Sequence, residues 1–190
     1  MIVSKLELAA LAELVFCWFA WALGFIYPFI KSRGQQKAVI DSRSRIGILA
    51  VMLAFMCACT YIGTMQLERP AAASIASMVL GPIAVVFTWW ATWHLGKQWR
   101  YVAALSHDHE LVTTGPYRLI RHPIYASILG LLLATICAWT WWPLASPAVI
   151  FFVLGTEIRI RTEDGLLASR FGERFQTWRA STRAYIPFVR

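Results

Sequence analysis

Two stretches of this sequence carry most of the side chains able to do chemistry. The first, HELVTTGPYRLIRHPIY at residues 109–125, holds His109, Glu110, Tyr117, Arg118, Arg121, His122 and Tyr125. Gly115-Pro116 favours an extended break before a turn, and Pro123 is placed to open a helix. Gly115 also permits close backbone approach. A segment folded back in this way can aim backbone donors at a ligand, with fixed positive charge from Arg118 and Arg121. The same residues would suit a basic interfacial loop on anionic lipid headgroups. Residue types alone leave both readings open.

The second stretch, EIRIRTEDGLLASRFGERFQTWRAST at residues 157–182, places Glu157 four residues before Arg161 and Arg159 four before Glu163. Helical i,i+4 pairs of this kind are usually surface decoration worth a few tenths of a kcal/mol. These directly follow an apolar segment, where burial is more common than on a free surface. Leu167, Phe171, Phe175, Trp178 and Tyr185 then recur at helical spacing with arginines between them. That pattern predicts an amphipathic helix on the cytoplasmic leaflet, packing or anchoring rather than holding a ligand. His107, Asp108 and His109 could suggest a metal, but no third clear ligand accompanies them and no metal site is expected. No Rossmann fingerprint, P-loop, serine-nucleophile motif or HExxH occurs.

The elements that must position these residues are apolar and long. The chain is 58% hydrophobic and 15% charged, with mean hydropathy +0.56, where soluble domains run about 45–50% and about 25%. Leu6–Ile30 is interrupted only by Glu7 and Glu13, and Ile46–Met65, Ala71–Trp93 and Ile124–Trp142 contain no charge. About 20 helical residues cross the hydrocarbon core, so each of these segments is a candidate span. Leu144–Thr156, bounded by Pro143 and Glu157, is short for a fifth unless protein shelters its polar end. Trp142-Pro143 predicts a tight hairpin before it. The first segment reads as a span rather than a signal peptide, because its basic region is only Lys5 and its apolar run continues past residues 20–22. Glu13 is costly in lipid and should face the bundle or snorkel.

The net charge of +8 is distributed as a membrane protein distributes it. With five spans, sixteen of the eighteen lysines and arginines fall on one side, leaving Lys5 and Arg69 on the other. By the positive-inside rule that side is cytoplasmic, and a nucleic-acid partner is not expected. Cys17, Cys57, Cys59 and Cys137 all lie in apolar segments and read as packing residues rather than disulfides. The expected fold class is therefore all-α: a multispan integral membrane protein of about five transmembrane helices, with a cytoplasmic linker and a C-terminal amphipathic helix. The lipid bilayer is its first partner.

HELVTTGPYRLIRHPIY resembles the H-x-L-V-T-x-G-P-Y-x-x-x-R-H-P-x-Y motif of the isoprenylcysteine carboxyl methyltransferase family, which is related to phospholipid N-methyltransferases. RIRTEDGLLASRFGERFQTW is similar to that family's R-x-x-x-E-E-x-x-L-x-x-x-F-G-x-x-Y segment, and LGKQW at 95–99 to its L-G-x-x-W lead-in. The resemblance covers residues 95–190. It implies one methyltransferase domain over 1–190, with three spans in 1–94 and the cofactor-binding, catalytic half in 95–190. The implied cofactor is S-adenosylmethionine, bound at the cytoplasmic face by His109, the backbone of Glu110, Leu111 and Val112, Tyr117, His122, Pro123, Ile124, Tyr125 and Glu163. Arg159 matches the arginine associated with the methyl acceptor, so Arg159 and Glu163 are the implied catalytic pair. The implied membrane is the plasma (inner) membrane of a prokaryote or the endoplasmic reticulum of a eukaryote.

Methyl transfer from a sulfonium is an in-line displacement governed by alignment and charge placement. An acceptor carboxylate is ionised at neutral pH and needs no base, and Arg159 offers it paired donors. A lipophilic acid, such as the C-terminal carboxylate of an isoprenylated cysteine, is thus the expected acceptor. Phospholipid amine methylation is the alternative, followed by a non-catalytic lipid-binding role. An NADPH-dependent sterol reductase fits less well, since Pro123 and Ile124 depart from its R-H-x-N-Y motif. Three positions depart from the methyltransferase pattern: Asp164 is the shorter acid of the E-E pair, Ser127 stands where glycine is frequent, and Phe175 lacks the tyrosine hydroxyl. A lateral entrance for the acceptor is expected between the last spans, across Val149–Ile160.

Overall fold

The computed structural model describes residues 4–32, 39–40, 42–60, 69–99, 104–105 and 110–185. Within them the chain is nearly all helix: α1 Lys5–Leu23, α2 Ile26–Ser32, α3 Arg43–Cys59, α4 Ala71–Leu95, α5 Pro123–Ala138 and α6 Trp142–Ser181. Short 3₁₀ turns occupy Gly96–Gln98 and Gly115–Arg118, and β1 Val39–Ile40 pairs antiparallel with β2 Ala104–Leu105. Among the described residues, three helical stretches are long and apolar enough to cross a membrane: Lys5–Lys31, Ala71–Gln98 and Trp142–Ser181. α3 and α5, at 17 and 16 residues, fall just short of the usual length.

Local sequence explains most of the helix boundaries. Ser4 and Glu7 form a capping box: the Ser4 hydroxyl accepts the Glu7 amide at 3.1 Å, and the Glu7 carboxylate accepts the Ser4 amide at 2.7 Å. Pro123 and Pro143 stand in the first turns of α5 and α6, where a missing N–H costs nothing. The turn expected at Trp142-Pro143 is present, with only residues 139–141 between the two helices.

The C-terminal third differs from expectation. Residues 144–156 are not an isolated short segment but the beginning of the 40-residue α6. At about 1.5 Å per residue such a helix far exceeds the bilayer core, so its second half must project from it. Glu157 does not end it, because i,i+4 pairing with Arg161 at 3.6 Å accommodates the charge. The one break is Gly172, whose φ of 51° admits glycine readily. The expected amphipathic helix is therefore a continuation of the last span, and its apolar stripe meets protein. Phe175 is fully buried, and Trp178 donates to the Tyr117 carbonyl at 3.3 Å.

Packing relies on small residues, as helix association in lipid generally does. α3 lies against α6, while α4 lies against both α5 and α1. A Cβ on Gly155 would sit 2.7 Å from the Gly47 carbonyl oxygen and 2.9 Å from Ala50 Cβ. One on Gly47 would sit 2.5 Å from Arg159 Cγ, so only glycine allows this approach. Interhelical hydrogen bonds supplement the packing: Thr88 to Ser127 at 2.6 Å, Trp18 to Thr135 at 3.3 Å, and Thr140 to the Ala58 carbonyl at 2.6 Å. Ser127 thus has a structural partner where a glycine would have none. Glu13 turns inward, with Oε2 buried and lacking a hydrogen-bond partner among the described residues. Outward-facing Phe16, Phe19, Met56, Val86 and Trp93 give the bundle an apolar girdle. All four cysteines are free.

Candidate functional site

The linker before α5 is held from two sides. Gly115, at φ 59°, seats its backbone against the His94 ring, where any Cβ would collide with the imidazole. Further along, the amides of Arg121 and His122 donate to the carbonyls of Arg183 and Ala184, each at 2.8 Å, so the segment after α6 runs alongside the linker. The Arg121 guanidinium then caps the end of α6 through the carbonyls of Arg179 (3.2 Å) and Thr182. These contacts fix the start of α5 against the projecting half of α6.

At that junction six charged or polar side chains meet. Arg159 Nε donates to the Tyr125 hydroxyl at 2.5 Å, and that hydroxyl donates to Glu163 Oε1 at 2.5 Å. Arg159 also reaches Glu163 directly at 3.4 Å. His122 lies between two acids, with Nε2 3.0 Å from Asp164 Oδ1 and Nδ1 3.4 Å from Glu163 Oε2. Arg121 reaches the second Asp164 oxygen at 3.3 Å. Asp164, noted in the sequence only as a shortened acid, is thus the partner that holds His122 and Arg121 together. Its shorter side chain still spans the distance.

Burial makes these charges matter. His122, Arg159 and Asp164 are each no more than 9% exposed. Burial alone would depress the His122 pKa, but the hydrogen bonds and charges of Asp164 and Glu163 outweigh it and hold the imidazole above its ordinary value. Burial, reinforced by the Glu163 charge, pushes the Tyr117 phenol well up, so it stays neutral. The Tyr117 hydroxyl has no hydrogen-bond partner among the described residues.

All of these side chains but Asp164 face one cavity of about 820 Å³, within the roughly 300–1,000 Å³ of small-molecule sites. Every described residue that the resemblance implied for the site lines it: Glu110, Leu111, Val112, Tyr117, His122, Pro123, Ile124, Tyr125, Arg159 and Glu163; of the two linker arginines Arg121 lines it and Arg118 does not. Glu110 is the most exposed of them and pairs with Lys97 at 3.5 Å. His109 lies outside the described residues. Sequence reasoning missed the opposite wall, where α1 contributes Trp18 and Trp21, the turn after it Phe25, and α3 Ile48, Val51, Met52, Phe55 and Met56. It also missed Gln98 and gave Trp99 no role. LGKQW was the available signal for those two. The lining includes none of residues 149–158. The Gly47–Gly155 contact closes α3 against α6, and the apolar wall of the cavity is contributed by α1 and α3.

Among the described residues no group of three His, Cys, Asp or Glu side chains could hold a metal. The arrangement can bind a polar, partly charged ligand at one end and an apolar chain at the other.

The chain is 34% identical over 151 residues to the cobalt-zinc-cadmium resistance protein CzcN of Cupriavidus metallidurans (strain ATCC 43123 / DSM 2839 / NBRC 102507 / CH34), covering 77% of this chain and 65% of that one. It is 32% identical over 152 residues to the nickel-cobalt-cadmium resistance protein NccN of Alcaligenes xylosoxydans xylosoxydans, covering 77% and 66%. The matched part of this chain thus spans just under two thirds of either relative. Residues 75–169, which run from α4 through the linker to the start of the projecting half of α6, match the isoprenylcysteine carboxyl methyltransferase family, and the chain belongs to that family.

Proposed function

We propose that this protein is an integral membrane methyltransferase that uses S-adenosylmethionine to methylate a lipophilic carboxylate, such as that of an isoprenylated cysteine, at the cytoplasmic face. One observation carries the reading: a single cavity joins the buried Arg159–Tyr125–Glu163–His122 cluster to an apolar wall of α1 and α3. The polar end suits a zwitterionic cofactor and an anionic acceptor; the apolar end suits a lipid tail. Five spans, with the basic loops and C-terminal segment in the cytoplasm, fit the charge distribution.

The cofactor fits the residues present. Glu163 offers an ionised carboxylate to its amino group, and the unpartnered Tyr117 hydroxyl offers a hydrogen bond. Leu111, Val112, Pro123 and Ile124 supply apolar walls, and His109 would join them. When bound, the cofactor supplies an electrophilic methyl group. Arg159, fixed by Tyr125 and Glu163, holds the acceptor carboxylate with paired donors and leaves one oxygen free to attack. His122 holds its protons against Glu163 and Asp164 and so sets the orientation of both acids. With both ring nitrogens turned to carboxylates, at 3.0 Å from Asp164 and 3.4 Å from Glu163, neither is aimed at an acceptor as a base, which disfavours an amine acceptor needing deprotonation.

Calorimetric titration of detergent-purified protein with S-adenosylhomocysteine, beside Glu163→Ala and His122→Ala, tests the reading. Micromolar binding by wild type and its loss in both variants is expected. Absence of binding by folded wild type would overturn it and favour a non-catalytic lipid-binding role.

A further inference from the structure

Two side chains in the cavity remain unused by this chemistry. Gln98 is 4% exposed, yet neither its amide oxygen nor its amide nitrogen has a hydrogen-bond partner among the described residues. The Trp21 indole nitrogen is likewise buried without one. Both residues line the cavity. They are linked through Phe25, whose ring lies 4.8 Å from that of Trp21 and 5.7 Å from that of Trp99, next to Gln98 in the chain. Trp18 continues the aromatic series, 6.2 Å from Trp21 and 5.0 Å from Phe55 on α3. Buried polar groups are almost always paired, so two unpaired ones on one cavity wall point to a missing ligand group.

The chemistry of that group follows from what surrounds it. The charged residues lining the cavity are Glu110, Arg121, His122, Arg159 and Glu163; none belongs to α1, α3 or the Gly96–Gln98 turn. A phosphate would find no cation on this wall. An ammonium would meet N–H donors. The Trp21 indole can only donate, so it requires an acceptor oxygen, while Gln98 can both donate and accept. An uncharged group presenting both a carbonyl and an N–H offers what each of them lacks. We propose that Gln98 and Trp21 form a neutral subsite that reads an amide on the methyl acceptor, beside its apolar body. This rests on the acceptor reading above and narrows it to lipophilic acids that carry an amide.

The test compares two probes with the same tail and carboxylate, N-acetyl-S-farnesylcysteine and 3-(farnesylthio)propanoic acid, which lacks the amide. Each is titrated into purified protein saturated with S-adenosylhomocysteine. Wild type is expected to bind the amide-bearing probe about tenfold tighter or more. Gln98→Met, close in volume but unable to pair with an amide, is expected to erase most of that preference, and Trp21→Phe part of it. Neither should alter S-adenosylhomocysteine affinity. Equal binding of the probes by wild type, or binding of neither, overturns the subsite. So does a Gln98→Met protein that weakens both probes alike, or one that loses S-adenosylhomocysteine, which would assign the amide to the cofactor. Should Gln98→Met not fold, the wild-type ratio and Trp21→Phe decide. Selective binding without methyl transfer from labelled S-adenosylmethionine would overturn the acceptor reading and leave the amide subsite standing.

Discussion

The two walls of the cavity are built by opposite rules. The linker and α6 contribute charges paired with one another, so that Arg159, Tyr125, Glu163, His122, Asp164 and Arg121 form one connected network. α1 and α3 contribute rings, methionines and branched chains with few specific bonds between them. In the first wall each group is held by its neighbours, and loss of one strands another buried charge. In the second, shape and apolar area matter and individual contacts are exchangeable. On the proposed function, orientation-dependent chemistry falls to the first wall and tolerant tail recognition to the second.

The sharpest way to break this comparison is on the charged side. Arg159→Met should lower kcat/KM by about 10²–10³-fold, the usual loss when one preorganised donor is removed. Single-turnover methyl transfer, with S-adenosylhomocysteine binding as control, measures it; a change confined to KM would move Arg159 out of the reacting centre. A structural break comes next. Gly155→Leu places side-chain atoms against the α3 backbone and should destabilise the bundle by about 3 kcal/mol, at the upper end of overpacking costs. Thermal melting in detergent reports it, and an unchanged melting temperature would mean that α3 and α6 do not approach as described.

On the apolar side the effect should be smaller and of a different kind. Phe55→Ala should raise the acceptor KM about tenfold while leaving kcat and cofactor affinity near wild type, because only uniform binding is removed. A comparable fall in kcat would erase the proposed division of labour. The smallest effect expected is that of pH. The folded-state pKa of His122 is raised, so its contribution to stability is fully present below the unfolded value of about 6.5 and is lost as pH rises through the folded value. Melting temperature should therefore fall above about pH 6.5, and His122→Gln should flatten that dependence. An unflattened profile would place the titration elsewhere.

The charged wall was largely legible in the sequence and the apolar wall was not, for a physical reason. Helical spacing put Arg159 and Glu163 on one face, and the resemblance of their stretch and of the RHPIY stretch to the family motifs singled out those two and His122, because such motifs are short and local. Trp18, Trp21 and Phe55 look like any other span residues; what makes them a wall is the way α1 and α3 flank a space, a property of tertiary arrangement. Gln98 carries no pattern beyond its place in LGKQW. The continuity of α6 was hidden because Pro143 and Glu157 look like ends, whereas a proline in a helix's first turn and a charge paired one turn away leave a helix intact. Asp164 was undervalued because its partner, His122, stands 42 residues earlier.

The Gly47–Gly155 contact has a mechanical consequence. With backbone resting on backbone and no side chains between to act as cushions, α3 and α6 behave as one stiff beam, and Arg159 is mounted on it. Any swelling needed to admit a bulkier tail must be taken up by α1, which meets α3 through little more than the edge of one aromatic ring. Such compliance is one-sided. On the proposed function, it would let the protein adapt to acceptors of different girth while the guanidinium keeps its place.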